Sequence, residues 1–358
     1  MGFRSSKPYT PYLYPLGFAI VMYLKHYSLS RRPFKLSSDP DFLWTGEKQK
    51  AALEALKEGI LENKGFVLLT GEVGTGKTTL VNAFPKLNEI ATITVTIPDP
   101  GMDPLDFCNF LASEFKMNRK FAGREDFVRD FKGFLLRSFA TYRKVLVIID
   151  EAQRLDYAML EEVRQLAGIE MAGRRLLKIF FVGQPEFCDM LMDERGAAVR
   201  DFIVAAYNIE PLDARETTEY INYRLAVAGV KKGIFTPRAL MRVHALTGGY
   251  PRTINVLCDH CLLRGYASGI KAIDADTVAV CAKALGLQPL TQSPRNYMFP
   301  FQMRKIENEE IHRPGRSRKK LFTALIAAFL GVICILAGYL AFRWGVHEYI
   351  FNLFSKIK

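Results

Sequence analysis

Gly71-Glu72-Val73-Gly74-Thr75-Gly76-Lys77-Thr78 is the stretch on which the reading of this chain turns. Its spacing is G-x-x-x-x-G-K-[ST], with a short apolar run (Phe66–Thr70) before it and a helical pattern after it. The glycines let successive backbone N–H groups turn inward on phosphate oxygens, and the following helix presents its positive end to them. Lys77 is expected to reach the β- and γ-phosphates and the Thr78 hydroxyl to ligate Mg²⁺. Gly71, Glu72, Val73, Gly74, Thr75, Gly76 and Thr79 complete the expected cradle for ATP. A Gly-rich turn without function is the plain alternative, and the strand before and helix after count against it.

A second motif stands 73 residues downstream, Val145-Leu146-Val147-Ile148-Ile149-Asp150-Glu151. A buried strand ends there in two carboxylates, at the edge where α/β sheets bind ligands. Asp150 is expected to hold the Mg²⁺ shell and Glu151 to polarise an attacking water. Taken alone, an acidic turn on a solvated edge would explain these residues equally well. A further apolar strand runs into Val182-Gly183-Gln184-Pro185-Glu186. Gln184 there is either an uncharged sensor of the γ-phosphate or a turn residue.

Working outward, short apolar runs rich in β-branched residues recur at 66–70, 91–97, 145–149, 178–182 and 202–209. Helix-period stretches such as 49–61, 106–115 and 159–166 lie between them. Strands alternating with helices predict an α/β fold, a parallel sheet covered on both faces. Beyond Pro211 the strands cease, and four helical patterns follow at about 214–228, 237–246, 251–267 and 274–286. The expected organisation is an extension at 1–21, an ATPase core at 22–212, a helical lid at 213–287, a basic linker at 288–320, a membrane helix at 321–342 and a short amphipathic tail at 343–358.

Composition narrows the partners. The chain has 358 residues, 49% apolar and 24% charged, which excludes wholesale disorder. Its six Cys are too scattered for a disulfide scaffold. The net charge of +12 divides into +4 over residues 1–42, +2 over 43–300 and +6 over 301–358. A nearly neutral middle counts against nucleic acid, because duplex binding needs several cation–phosphate contacts. The run LFTALIAAFLGVICILAGYLAF (321–342) has 22 residues and no charge. As a helix it measures about 33 Å, enough to cross a bilayer core. Seven Lys/Arg precede it within about twenty residues and three follow it. The positive-inside rule then puts the bulk of the chain in the cytoplasm, on a single-pass inner-membrane anchor. An apolar stretch at 16–24 resembles a signal peptide only faintly; it lacks a small-residue cleavage site and runs directly into Lys25 and His26.

From Met22-Tyr23-Leu24-Lys25-His26-Tyr27 through Pro33-Phe34, Asp39-Pro40, the phosphate loop, IIDEAQ (148–153), FVGQPE (181–186), Pro211-Leu212 and GGYPRTINVLCD (248–259), the chain resembles the secretion ATPases of the ExeA/GspA type. These are AAA+ proteins associated with type II secretion, type IV pili and exopolysaccharide export. The resemblance spans roughly residues 22–290 and makes Met22 a family-like start. It implies a five-stranded sheet with a helical lid, Gln184 as the first sensor, Arg252 as the second, a homo-oligomer, and partner subunits of a secretion, pilus or export machine.

Two departures stand out. The family's paired arginines before the fifth strand are here Val199-Arg200-Asp201-Phe202-Ile203, with one arginine kept. Arg200 is the candidate for a cation supplied to a neighbouring subunit, and Arg195 the reserve. The peptidoglycan-binding domain common in secretion-type relatives is not expected either. Cys258-Asp259-His260-Cys261 reads as part of a lid helix rather than a zinc site. The aromatic-rich stretch 121–142 reads as helix core, and 39–49 could form part of an adenine pocket. A regulatory nucleotide switch with little turnover and a DNA-handling ATPase are the alternatives to a secretion ATPase.

Overall fold

Along three strands the apolar residues alternate between two cores, which is what a sheet buried on both faces requires. Phe66 and Leu68 of β1 (Phe66–Thr70), Val145 and Val147 of β3 (Lys144–Ile149), and Ile179 and Phe181 of β6 (Leu177–Gly183) point into one core. Val67, Leu69, Leu146, Ile148, Phe180 and Val182 point into the other. With β2 (Thr92–Ile97) and β7 (Ile203–Asn208) these strands form a five-stranded parallel sheet in the order β2-β3-β6-β1-β7. Its registers include Leu68↔Phe181 and Val147↔Ile179. The computed structural model describes residues 22–36, 39–61, 65–87, 90–230 and 233–288, together with Tyr339. All but Tyr339 lie in the first of two units into which the chain divides, residues 1–305.

Helix α1 (Glu47–Leu61) and helix α2 (Lys77–Leu87) cover the second core through Leu56, Ile60, Leu80 and Phe84. The first core is covered by α3 (Pro104–Glu114), α4 (Arg124–Ala140), α5 (Tyr157–Ala167) and α6 (Glu186–Met192). Asp103 caps α3 by accepting from the Leu105 and Asp106 N–H groups, and Asp156 caps α5 through Met159 N–H. The aromatic-rich stretch is α4, and its Phe127, Phe131 and Leu135 recur at helical spacing and are buried, as expected. A small hairpin of β4 (Glu170–Met171) and β5 (Arg174–Arg175) precedes β6, and a single turn α7 (Ala197–Arg200) precedes β7. Neither was legible as an element, since two- and four-residue segments carry no periodicity.

Four further helices follow the sheet: α8 (Ala214–Val227), α9 (Pro237–Thr247), α10 (Pro251–Ala267) and α11 (Ala275–Ala284). They start at strong signals: a capping box between Asp213 and Glu216, Thr236 followed by Pro237, Tyr250 followed by Pro251, and Asp274. They share a core of their own, in which Cys258 and Cys261 are fully buried.

That core also takes in Tyr23, Tyr27, Leu29, Phe34 and Phe42. The segment 22–42, which a boundary at residue 213 groups with the sheet, is therefore stitched to the helical group. Asp259 accepts from Tyr23 Oη at 2.9 Å and from Arg32 Nε at 3.0 Å. Arg224 donates to the Pro33 carbonyl at 2.6 Å and the Lys35 carbonyl at 3.1 Å. No helix among the described residues is long and apolar enough to cross a membrane. The expected membrane helix at 321–342 lies outside those residues apart from Tyr339. The extension 1–21, the linker beyond Gln288 and the tail 343–358 lie outside them as well.

Candidate nucleotide site

Three strand ends converge on one cavity. β1 ends in the phosphate loop, β3 in Asp150 and Glu151, and β6 in Gly183 followed by Gln184. The cavity measures ≈ 470 Å³ and is lined by the loop from Val73 to Thr79, by Glu151 and Gln184, and by Arg252 from the helical group. This volume suits a ligand of nucleotide size.

The loop can turn here because Gly74 and Gly76 sit at φ +86° and +98°, which L side chains rarely adopt. At Gly74 an added Cβ would also come within 3.0 Å of Arg252 Cβ. Lys77 is buried, and its Nζ donates to the carbonyls of Gly71 at 2.7 Å and Glu72 at 3.1 Å. Burial lowers its pKa, opposed by the nearby carboxylates of Glu151 and Asp150. Its ammonium is thus held at the loop without a direct ion pair among the described residues. Thr75 Oγ1 donates to the Glu72 carbonyl at 2.9 Å and closes the turn. Gly71 and Glu72 do not line the cavity; they act through these carbonyls.

Thr78 Oγ1 donates to Asp150 Oδ2 at 2.7 Å. Asp150 is buried, which raises its carboxyl pKa, while the hydrogen bonds from Thr78 and from Glu151 N–H pull the other way. A hydroxyl and a carboxylate in contact form the hard-oxygen donor set that Mg²⁺ takes, and Mg²⁺ usually needs only one or two protein groups beside phosphates. The residues present therefore fit the ion that the motif implies.

Glu151 has left-handed backbone (φ 52°, ψ 40°), uncommon for a residue with a side chain and concentrated at functional sites. That turn leads into a 3₁₀ turn at Ala152–Arg154 and brings Gln153 back beside it. Gln153 Nε2 donates to Glu151 Oε2 at 2.6 Å, and Gln153 Oε1 accepts from the Gln184 N–H at 3.0 Å. One side-chain amide thus joins the ends of β3 and β6. Gln153 was not among the residues singled out from the sequence. Its signal is its place at the end of the run IIDEAQ (148–153), three positions after Asp150.

From the helical group, the Arg252 N–H donates to the Gly74 carbonyl at 3.2 Å, so α10 begins against the phosphate loop. Arg200 lies on α7 away from the cavity, in long contacts with Asp201 Oδ1 and the Leu191 carbonyl, both at 3.4 Å. Arg195 is engaged by Asp193 at 3.0 Å, and its guanidinium lies 3.8 Å over the Tyr157 ring. The segment 39–49 does reach the site: Asp39, Phe42, Leu43, Trp44 and Gln49 line the same cavity.

This sheet order and phosphate loop define a P-loop AAA fold, a class built to bind nucleotides. Residues 60–191 match the family described as AAA domain. The chain is 37% identical over 269 residues to General secretion pathway protein A of Aeromonas hydrophila, across 73% of this chain and 48% of that protein. It therefore spans about half the length of that relative. The resemblance carried by the sequence motifs is thus found again across most of the chain. Among solved structures, the ADP form of the Aeropyrum pernix ORC2 protein matches with a TM-score of 0.55 at 17% identity, over 71% of this chain and 72% of that one. Drosophila ORC bound to DNA matches with a TM-score of 0.53 at 14% identity, over 80% and 70%. At such identities these likenesses concern the fold alone.

Proposed function

We propose that this protein is an Mg²⁺-dependent ATPase that serves an envelope secretion, pilus or polysaccharide-export system from the cytoplasmic face of a membrane. The observation that carries the catalytic part is the contact of Thr78 with Asp150 beside Glu151, at the mouth of a built phosphate loop.

In this reading Lys77 and the loop N–H groups hold the β- and γ-phosphates, and Arg252 meets them from the helical side. Thr78 and Asp150 supply protein oxygens to a bound Mg²⁺, which would neutralise charge on the phosphates. Glu151 orients a water in line with the γ-phosphorus and accepts its proton. Gln184 reports on the γ-phosphate at the end of β6. Arg252 sits on α10, so closure of the helical group on the nucleotide would move with the state of the phosphates.

The secretion setting rests on the likeness to General secretion pathway protein A, and the anchor on the uncharged run 321–342 with its basic flank. Glu151→Gln should leave ATP binding within about twofold and lower kcat by about 10²-fold or more, the range for loss of a general base. Lys77→Ala should lose binding and turnover together. Full turnover by purified Glu151→Gln would overturn the role given to Glu151. For the anchor, the chain should stay in the membrane pellet through an alkaline carbonate wash. Deletion of 321–342 should release it; release of the intact chain would remove that part of the proposal.

A further inference from the structure

Gln49 carries the one buried side-chain polar atom among the described residues that has no hydrogen-bond partner, its Oε1. The residue is 7% exposed and lines the same cavity as the phosphate loop. An orphaned carbonyl of this kind costs free energy unless a ligand supplies a donor.

Its neighbours leave it that task. Phe42, Leu43, Trp44 and Ile209 bring apolar surface to the same cavity. Two polar side chains of the same lining are already engaged. Tyr220 Oη donates to Asn255 Oδ1 at 3.0 Å, and Arg224 is held by Tyr220 Oη and two backbone carbonyls. Gln49 is also fixed in place, since it lies in the first turn of α1. The adjacent Lys48 ties that turn to the Pro211 carbonyl at 3.1 Å and to Glu216 at 3.2 Å.

We infer that Gln49 reads the base of the bound nucleotide and selects adenine over guanine, an inference that rests on the nucleotide reading of this site. The argument is one of edges. Adenine offers a donor (the six-amino group) beside an acceptor (N7), which a side-chain amide matches with its oxygen and nitrogen together. Guanine offers two acceptors, O6 and N7, so the Gln49 oxygen would face another oxygen. A site built to pair such a group rejects the analogue lacking it, because the buried partner is then left unpaired.

Binding of ATP, GTP and the triphosphate of purine riboside, which has no six-amino group, to the full-length detergent-solubilised chain tests this. ATP should bind roughly ten- to a hundredfold tighter than either of the others. Gln49→Leu and Gln49→Met should each weaken ATP to the level of the unsubstituted purine and leave that purine within about twofold. Equal affinity of the wild type for ATP and the unsubstituted purine would overturn the inference without any substitution, so it does not depend on how the variants fold. An ATP preference that survives both substitutions would overturn it too. Lys77→Ala should weaken all three alike. If the wild type binds none of them, the nucleotide reading fails and takes this inference with it; binding without discrimination removes this inference alone.

Discussion

Glu151 is placed by its neighbours as much as by its own backbone. The left-handed turn at φ 52° lets the chain fold back, and Gln153 then holds Oε2 at 2.6 Å while accepting from β6 at 3.0 Å. A carboxylate held this way loses rotamer freedom before any substrate arrives, which is the condition for general-base efficiency. Gln153→Ala should therefore lower kcat about tenfold or more with nucleotide affinity little changed, and Gln153→Glu should not rescue it, because a carboxylate cannot donate to Glu151. Equal losses in affinity and kcat would mean that Gln153 only supports the fold. At this scale the sequence was informative where a motif fixes both residue and spacing, as at Lys77, Thr78 and Asp150. Gln153 ends the quoted run 148–153 and Gln49 the segment 39–49, yet neither was singled out, because their significance lies in what surrounds them: a backbone turn in one case, a missing partner in the other.

Among elements, the joint between the sheet and the helical group is held by close backbone contacts. The Leu212 N–H donates to the Gly249 carbonyl at 2.9 Å, and two residues later Pro251 opens the helix whose Arg252 N–H meets the phosphate loop. Gly249 sits at φ +78°, and a Cβ there would lie 1.8 Å from the Leu212 carbonyl oxygen. Gly249→Ala should destabilise the protein by more than about 1 kcal/mol and weaken nucleotide binding, because the start of α10 must move. Gly233→Ala, where the nearest atom is 3.7 Å away, should be nearly neutral in both respects. Thermal unfolding and equilibrium nucleotide binding on the two variants make the comparison. The three central strands, β1, β3 and β6, were legible to within a residue because strands buried on both faces read as unbroken apolar runs. The place of residues 22–42 was not. It is fixed by contacts such as Tyr23–Asp259 and Arg224–Pro33, 236 and 191 residues apart, and no local pattern encodes those.

For the molecule as a whole, the cavity gathers the loop from Val73 to Thr79 with Lys77 in it, Glu151, Gln184 and Arg252, while Asp150 stands behind Thr78 and Arg200 lies elsewhere. Among the described residues Arg200 makes only 3.4 Å side-chain contacts, whereas Arg195 is committed to Asp193 and Tyr157. Of the two, Arg200 is the less committed, and the trans role expected of it requires an assembly that brings α7 to a neighbour's cavity. That arrangement predicts complementation. Arg200→Ala and Glu151→Gln should each bind ATP and hydrolyse little. Mixed in equal amounts, they should recover about a quarter of wild-type turnover per subunit, because a random ring pairs an intact Glu151 with a neighbour's intact Arg200 at about one site in four. The recovery should vanish on dilution below the assembly concentration. Full activity of Arg200→Ala alone would make Arg200 an ordinary surface residue. Two inactive parents whose mixture stays inactive, at concentrations where sedimentation shows mixed assemblies, would put Arg200 and Glu151 in the same subunit's work instead.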